Sequence, residues 1–276
     1  MRNFISVLKE SRKGWQMTAG LTFKKALPTV LAVTLITFAA QIAGVCISLY
    51  FAAELDWQNT VTDNITGTQV TQLWGPRLEG LMYKGAWFPL SAAGYLFVLL
   101  TVAMTPVRMA GGNKLLHTVG RMPMGGRAPR IGSVLSGLSF SLFYWAMELM
   151  NFFTAALLYE KFVPEAAQLP HPMMMALLRW EALNGLFPVA RPWMLILLAV
   201  TGLSQVIAVS CIGWHLAEGR ERAAAHIFVL AVILIFSVFQ YKTGLGNTAV
   251  FCVSLTAAVS LWGNLIRRQF RGEEEP

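Results

Sequence analysis

The chain has 276 residues, of which 55% are apolar and only 13% charged, and it carries a formal net charge of +8. About a quarter of a soluble domain is charged, so this composition excludes a soluble globular protein and predicts an all-α, polytopic membrane protein. The excess of cations does not point to nucleic acid, because it is scattered over short loops rather than gathered on one folded face; membrane topology and contact with anionic lipid explain it better.

Residues 1–24 are expected to form an amphipathic helix lying in the inner membrane interface. Over 3–18, Phe4, Val7, Leu8 and Trp15 share one side at 100° per residue, and Lys9, Arg12, Lys13 and Gln16 share the other. The alternative is a soluble, partly ordered tail. The segment does not read as a cleavable signal peptide, because the apolar run after it is too long. Six spans follow within a membrane domain of residues 25–270. The first covers about 27–51, with Pro28 in its first turn, where proline is tolerated. Thr34, Thr37, Gln41, Gly44 and Ser48 fall on one face of it, which small and polar residues turn toward protein.

Residues 52–86 read as a polar outer loop with a glycosylation-type triplet at Asn64–Thr66. Span 2 covers about 87–107. Trp87 suits an aromatic belt at its outer end, and Pro106 is expected to break its inner end. The segment 108–133 then carries Arg108, Lys114, Arg121, Arg127 and Arg130 and no acid. Such a loop belongs on the cytoplasmic side. Within it Asn113 can cap a short helix whose apolar side is Leu115, Leu116 and Val119. Two readings stand side by side: a solvated loop that sets topology, or a docking element for a cytoplasmic partner.

Span 3 covers about 134–158. Ser133, Gly137, Ser141, Tyr144, Glu148, Asn151 and Ala155 fall within a narrow arc of an ideal helix. A charge near the bilayer centre costs about 3 kcal/mol or more, so Glu148 must face protein or water, be paired, or be protonated. It is either a substrate-path or proton-linked residue, or a structural carboxylate bonded to a neighbouring span. Ser141, Tyr144, Glu148 and Asn151 are the candidate path or helix seam. Residues 159–192 form a proline-punctuated second outer loop, in which Met173–Leu183 reads as a short helix ending at Trp180, interfacial, re-entrant or packed as a lid. Span 4 covers about 193–214, with a face of Thr201, Ser204, Gln205 and Ala208; spans 5 and 6 cover about 227–240 and 247–266; residues 271–276 are an acidic tail.

The charges test this topology. Lys and Arg number six in the N-terminal segment, five between spans 2 and 3, two between spans 4 and 5 and three in the tail, sixteen inside against six outside. Six spans with both termini cytoplasmic follow, in the inner membrane of a bacterial cell. Cys46, Cys211 and Cys252 lie inside spans and suggest neither disulfide nor metal site. No GxSxG, HExxH or GxxxxGK[ST] motif is present, no histidine pair has metal-ligand spacing, and Met173–Met175 suit helix packing rather than copper. Neither an enzymatic activity nor a cofactor is expected in this chain.

An amphipathic helix before span 1, six spans with both ends inside, and the cytoplasmic segment GGNKLLHTVGRMPMGGRAPRIGS between spans 2 and 3 together resemble the permease subunits of ABC-2-type transporters. The resemblance covers essentially the whole chain at the level of layout. It implies a coupling helix in that segment, with Lys114, Leu115, Leu116, Val119, Arg121, Arg127 and Arg130 docking on a separate ATP-binding subunit that holds ATP and Mg. It further implies a dimer, with itself or with a similar permease, surrounded by membrane lipid. Here the turn between spans 5 and 6 is minimal, whereas some family members carry a large segment there, so the substrate stays open among lipid, peptide and drug-like molecules, with export favoured. The rival reading is a stand-alone protein, either a proton-coupled secondary transporter or a membrane assembly factor.

Overall fold

The first helix is the longest element and it is continuous. In the computed structural model α1 runs over Arg2–Ala53, 52 residues, with Pro28 inside it. The expected interfacial helix and span 1 are therefore joined in one helix, and Pro28 lies in the interior rather than in a first turn. An interior proline costs a helix about 3 kcal/mol; packing on both sides of it opposes that cost, since Thr22, Ala26, Val30 and Thr34 are all buried at four-residue spacing.

The structure describes residues 2–53, 58–62, 69–73, 76–110, 128–165, 168, 171–180, 183, 187, 193–217, 252, 255–257 and 259. After α1 come two strands, β1 (Gln58–Thr62) and β2 (Gln69–Leu73), and a short helix α2 (Leu78–Lys84). Then follow α3 (Trp87–Ala110), α4 (Ala128–Phe162), α5 (Pro172–Arg179) and α6 (Trp193–Ala217). Four stretches are long and apolar enough to cross a bilayer: Ala19–Ala52, Trp87–Met109, Arg130–Phe162 and Met194–Trp214. These coincide with the first four expected spans. Span 5 lies outside the described residues, as does most of span 6, whose described residues are helical.

Several local expectations change. The first loop, expected only to be polar, contains two strands: β1 and β2 pair antiparallel with Thr60 opposite Thr71 and Val61 opposite Val70, as β-branched residues favour. Pro106 does not end α3, which continues to Ala110. Thr101 and Thr105 donate their hydroxyls to the carbonyls four residues back, and both are buried, so packing holds this turn through the proline. α4 begins at Ala128, six residues before the expected start of span 3, with Pro129 in its first turn, a position whose backbone N–H would have no helical partner in any case.

The chain folds as two compact units: Met1–Val33, Tyr95–Tyr144 and Trp193–Pro276 make one, and Thr34–Gly94 with Trp145–Pro192 makes the other. In the first unit, Ala26 and Val30 of α1, Val98, Leu99 and Val102 of α3, Phe140 and Tyr144 of α4, and Val206–Val209 of α6 form the core. The Thr22 and Ser136 hydroxyls lie 2.7 Å apart, and Phe23 stacks on Phe140 at 4.7 Å between centroids. A Cβ on Gly137 would lie 2.7 Å from Val206 Cγ1, so the small residue at this point of the α4 face permits close approach of α6. In the second unit, Val45 and Leu49 of α1, Leu81 and Met82 of α2, Phe152, Ala155 and Tyr159 of α4, and Ala176 of α5 pack together.

Candidate functional site: a buried carboxylate held by amides

The second unit contains the polar cluster. α1 contributes Gln41, because spacings of four and three residues bring Thr37, Gln41, Val45 and Ser48 to its buried side. α4 contributes Glu148 and Asn151, three residues apart and so on one face. The first turn of α3 contributes the carbonyl of Trp87. All three side chains are withdrawn from solvent: Gln41 and Asn151 are 1% exposed and Glu148 4%.

Gln41 is the hub. Its Nε2 donates to both carboxylate oxygens of Glu148, at 3.2 and 3.1 Å, and lies 3.4 Å from the Trp87 carbonyl oxygen. Its Oε1 accepts from Asn151 Nδ2. The amide therefore presents its donor to the carboxylate and its acceptor to Asn151, the orientation that stabilises a buried carboxylate. Asn151 Oδ1 has no hydrogen-bond partner among the described residues. Immediately beside the cluster the two backbones touch: a Cβ on Gly44 would come 2.4 Å from the Gly85 carbonyl oxygen. That contact brings the α2–α3 turn against α1 and sets the Trp87 carbonyl within reach of Gln41. Ala86 takes φ 53° in the same turn, a region that non-glycine residues seldom adopt.

The four candidate seam residues all lie on α4 and are shared between the two units. Glu148 and Asn151 meet Gln41 in the second unit. Tyr144 belongs to the core of the first unit, where its ring lies 5.8 Å from that of Tyr95, and Ser141 belongs to the same unit. Trp87, expected at an aromatic belt, is only 2% exposed; it packs into the second core because the turn before it folds back onto α1. Lys114, Leu115, Leu116, Val119, Arg121 and Arg127, the expected coupling residues, lie outside the described residues, and Arg130 is found in the first turn of α4 rather than in a loop. Among the described residues no group of three or more His, Cys, Asp or Glu is placed to hold a metal.

What the sequence did not reveal is the pairing of Gln41 with Glu148. Gln41 stands on the polar face of span 1 in the linear reading, but nothing in the pattern says which span that face meets. The available signal was the scarcity of amides: hydroxyl donors are common in the four spanning stretches, but their side-chain amides are Gln41, Asn151 and Gln205 alone.

Comparison with protein-family models, curated proteins and solved structures gives no match. What the fold defines is a class: an α-helical membrane protein with at least four helices fit to span a bilayer, two of them joined by a buried carboxylate–amide cluster.

Proposed function

We propose that the chain is the membrane-spanning subunit of an ABC-2-type transporter, paired as a dimer and driven by a separate ATP-binding subunit. The observation that supports this reading is the charge at one end of the α3–α4 pair. Arg108 is exposed in the last turn of α3, Arg130 lies in the first turn of α4, and Lys114, Arg121 and Arg127 fall between them with no acid. An ATPase with an acidic docking surface complements such a segment. Six spans with both termini cytoplasmic, in a bacterial inner membrane, belong to the same reading. The Gln41–Glu148–Asn151 cluster then acts as a seam that fixes helix register, since the carboxylate is buried and held by donors.

The test is co-purification of the full chain with an ATPase, followed by Arg121→Glu and Arg127→Glu. ATPase stimulation by the membrane subunit is expected to fall at least about tenfold, as loss of about 1.4 kcal/mol or more of docking energy requires, while unfolding is unchanged. Full stimulation in both variants removes the docking role. The burial of Glu148 among amides favours a second reading, a stand-alone proton-coupled carrier; a chain that transports without any ATPase, and whose pH dependence disappears in Glu148→Gln, would establish that one instead.

A further inference from the structure

Two helices too short to cross a membrane sit beside the span ends of the second unit. α2 has seven residues and α5 eight, against the roughly 20 that a span requires. They pack on each other, with Arg179 and Glu79 3.9 Å apart. Their inner sides are apolar, as a core demands: Leu78, Leu81 and Met82 of α2 and Ala176 of α5 are buried. The outer side of α5 is apolar as well. Met174 and Leu178, one helical turn apart, are 49% and 48% exposed, and Tyr83 of α2 is 75% exposed. A helix washed by water would carry polar residues there.

What covers this side follows from its neighbours. Tyr50 and Phe51 end the first span, Phe88 begins the second and Phe162 ends the third; all four are exposed. In consecutive antiparallel spans these three ends lie at one membrane face, so the exposed aromatic residues form a belt at one interface, and Tyr83 extends it onto α2. Exposed cations stand on the same pair: Arg77, Lys84 and Arg179, against the single acid Glu79.

We propose that α2 and α5 form an interfacial platform docked on the phospholipid bilayer. Met174, Leu178 and Tyr83 enter the acyl boundary, and the cations face the headgroup phosphates. The occupant is lipid because the exposed apolar residues of the pair adjoin in the chain the span ends that carry the exposed aromatic residues, Tyr83 five residues before Phe88, and because the pair carries a net positive charge. Nothing in this inference depends on the transport reading, and its test uses neither an ATPase nor a substrate.

The experiment uses the full chain with Cys46, Cys211 and Cys252 replaced by serine, reconstituted in phosphatidylcholine vesicles. An environment-sensitive fluorophore is placed on Met174→Cys, on Leu178→Cys, or on Glu165→Cys as the water-facing reference, Glu165 being exposed and charged. Phosphatidylcholine with a nitroxide high on its acyl chain is expected to quench the probes at 174 and 178 by about twofold or more, because an interfacial helix sits about 5–10 Å into the boundary. Iodide is expected to quench the reference alone. If iodide quenches 174 and 178 as it does 165, the face is aqueous and the platform does not exist. If neither quencher reaches them, protein covers the face and lipid is not its occupant.

Discussion

Replacing Gln41 with leucine removes the hub of the polar cluster while keeping the volume of the side chain close to the original. Glu148 then loses the amide that reaches both of its oxygens, and Asn151 Nδ2 loses its acceptor. Neutral hydrogen bonds between membrane helices are worth about 0.6 kcal/mol on average, but a bond to a charged group is worth about 1.5–3 kcal/mol. The loss of the bifurcated Nε2 contact and of the Asn151 bond together is expected to cost about 3 kcal/mol. In Gln41→Leu combined with Glu148→Leu the carboxylate is absent, so the double variant should be about 2 kcal/mol more stable than the sum of the single effects. The assay is reversible unfolding of the purified chain in mixed micelles, monitored by far-ultraviolet dichroism, in a four-member cycle. Additivity of the two substitutions within about 0.5 kcal/mol would show that Gln41 and Glu148 do not hold one another, and the seam would have to be abandoned.

Three further outcomes follow from the packing. Gly44→Ala sets a methyl group 2.4 Å from the Gly85 carbonyl oxygen, a backbone contact that cannot swing aside, and is expected to destabilise by about 1–3 kcal/mol; Gly20→Ala, with nothing within 4 Å of its Cβ, is expected to gain about 0.5–1 kcal/mol in the same unfolding assay. Thr22→Cys with Ser136→Cys, at positions whose hydroxyls are 2.7 Å apart, is expected to form a disulfide under mild oxidant, seen as a gel shift reversed by reductant; no cross-link would place α1 away from α4 at this level.

Helix existence and facing were largely legible from sequence. Periodicity turns the Thr34, Thr37, Gln41 and Ser48 face of α1 toward protein, and all four are buried, with Gly44 on the same face half-buried; the narrow polar arc of α4 is buried at Tyr144, Glu148, Asn151 and Ala155 and half-buried at Ser141, and Thr201, Ser204 and Gln205 on α6 are buried as well. Polar groups in an apolar run have only one inexpensive place to go, so the pattern carries strong information. Helix ends were less legible. Pro28 and Pro106 read as boundaries because a proline disrupts its own helix, yet tertiary packing outweighs that local cost at both places. Trp87 illustrates the same limit: a tryptophan at a span end suits the headgroup region, but the turn at Gly85 and Ala86 directs it into the core. The hairpin was concealed by its polarity; Thr60 opposite Thr71 and Val61 opposite Val70 are a β-branched signal that the hydrophilic flanks obscured. As for the cluster, sequence supplied Glu148 and Asn151 but not their partner, because pairing between spans is a property of tertiary arrangement alone.

The order of the cluster along the chain bears on how the protein is made. Gln41 precedes Glu148 by 107 residues, so at ribosomal rates of about 5–20 residues per second the amide enters the membrane some 5–20 seconds before the carboxylate. The helix bearing Glu148 is the least apolar of the four spanning stretches and the one whose partition into lipid is most costly. A neutral side chain that can wait in the bilayer at little expense is thus in place before the charged one arrives. Synthesised in the opposite order, the same contact would require the carboxylate to enter first and wait without this amide.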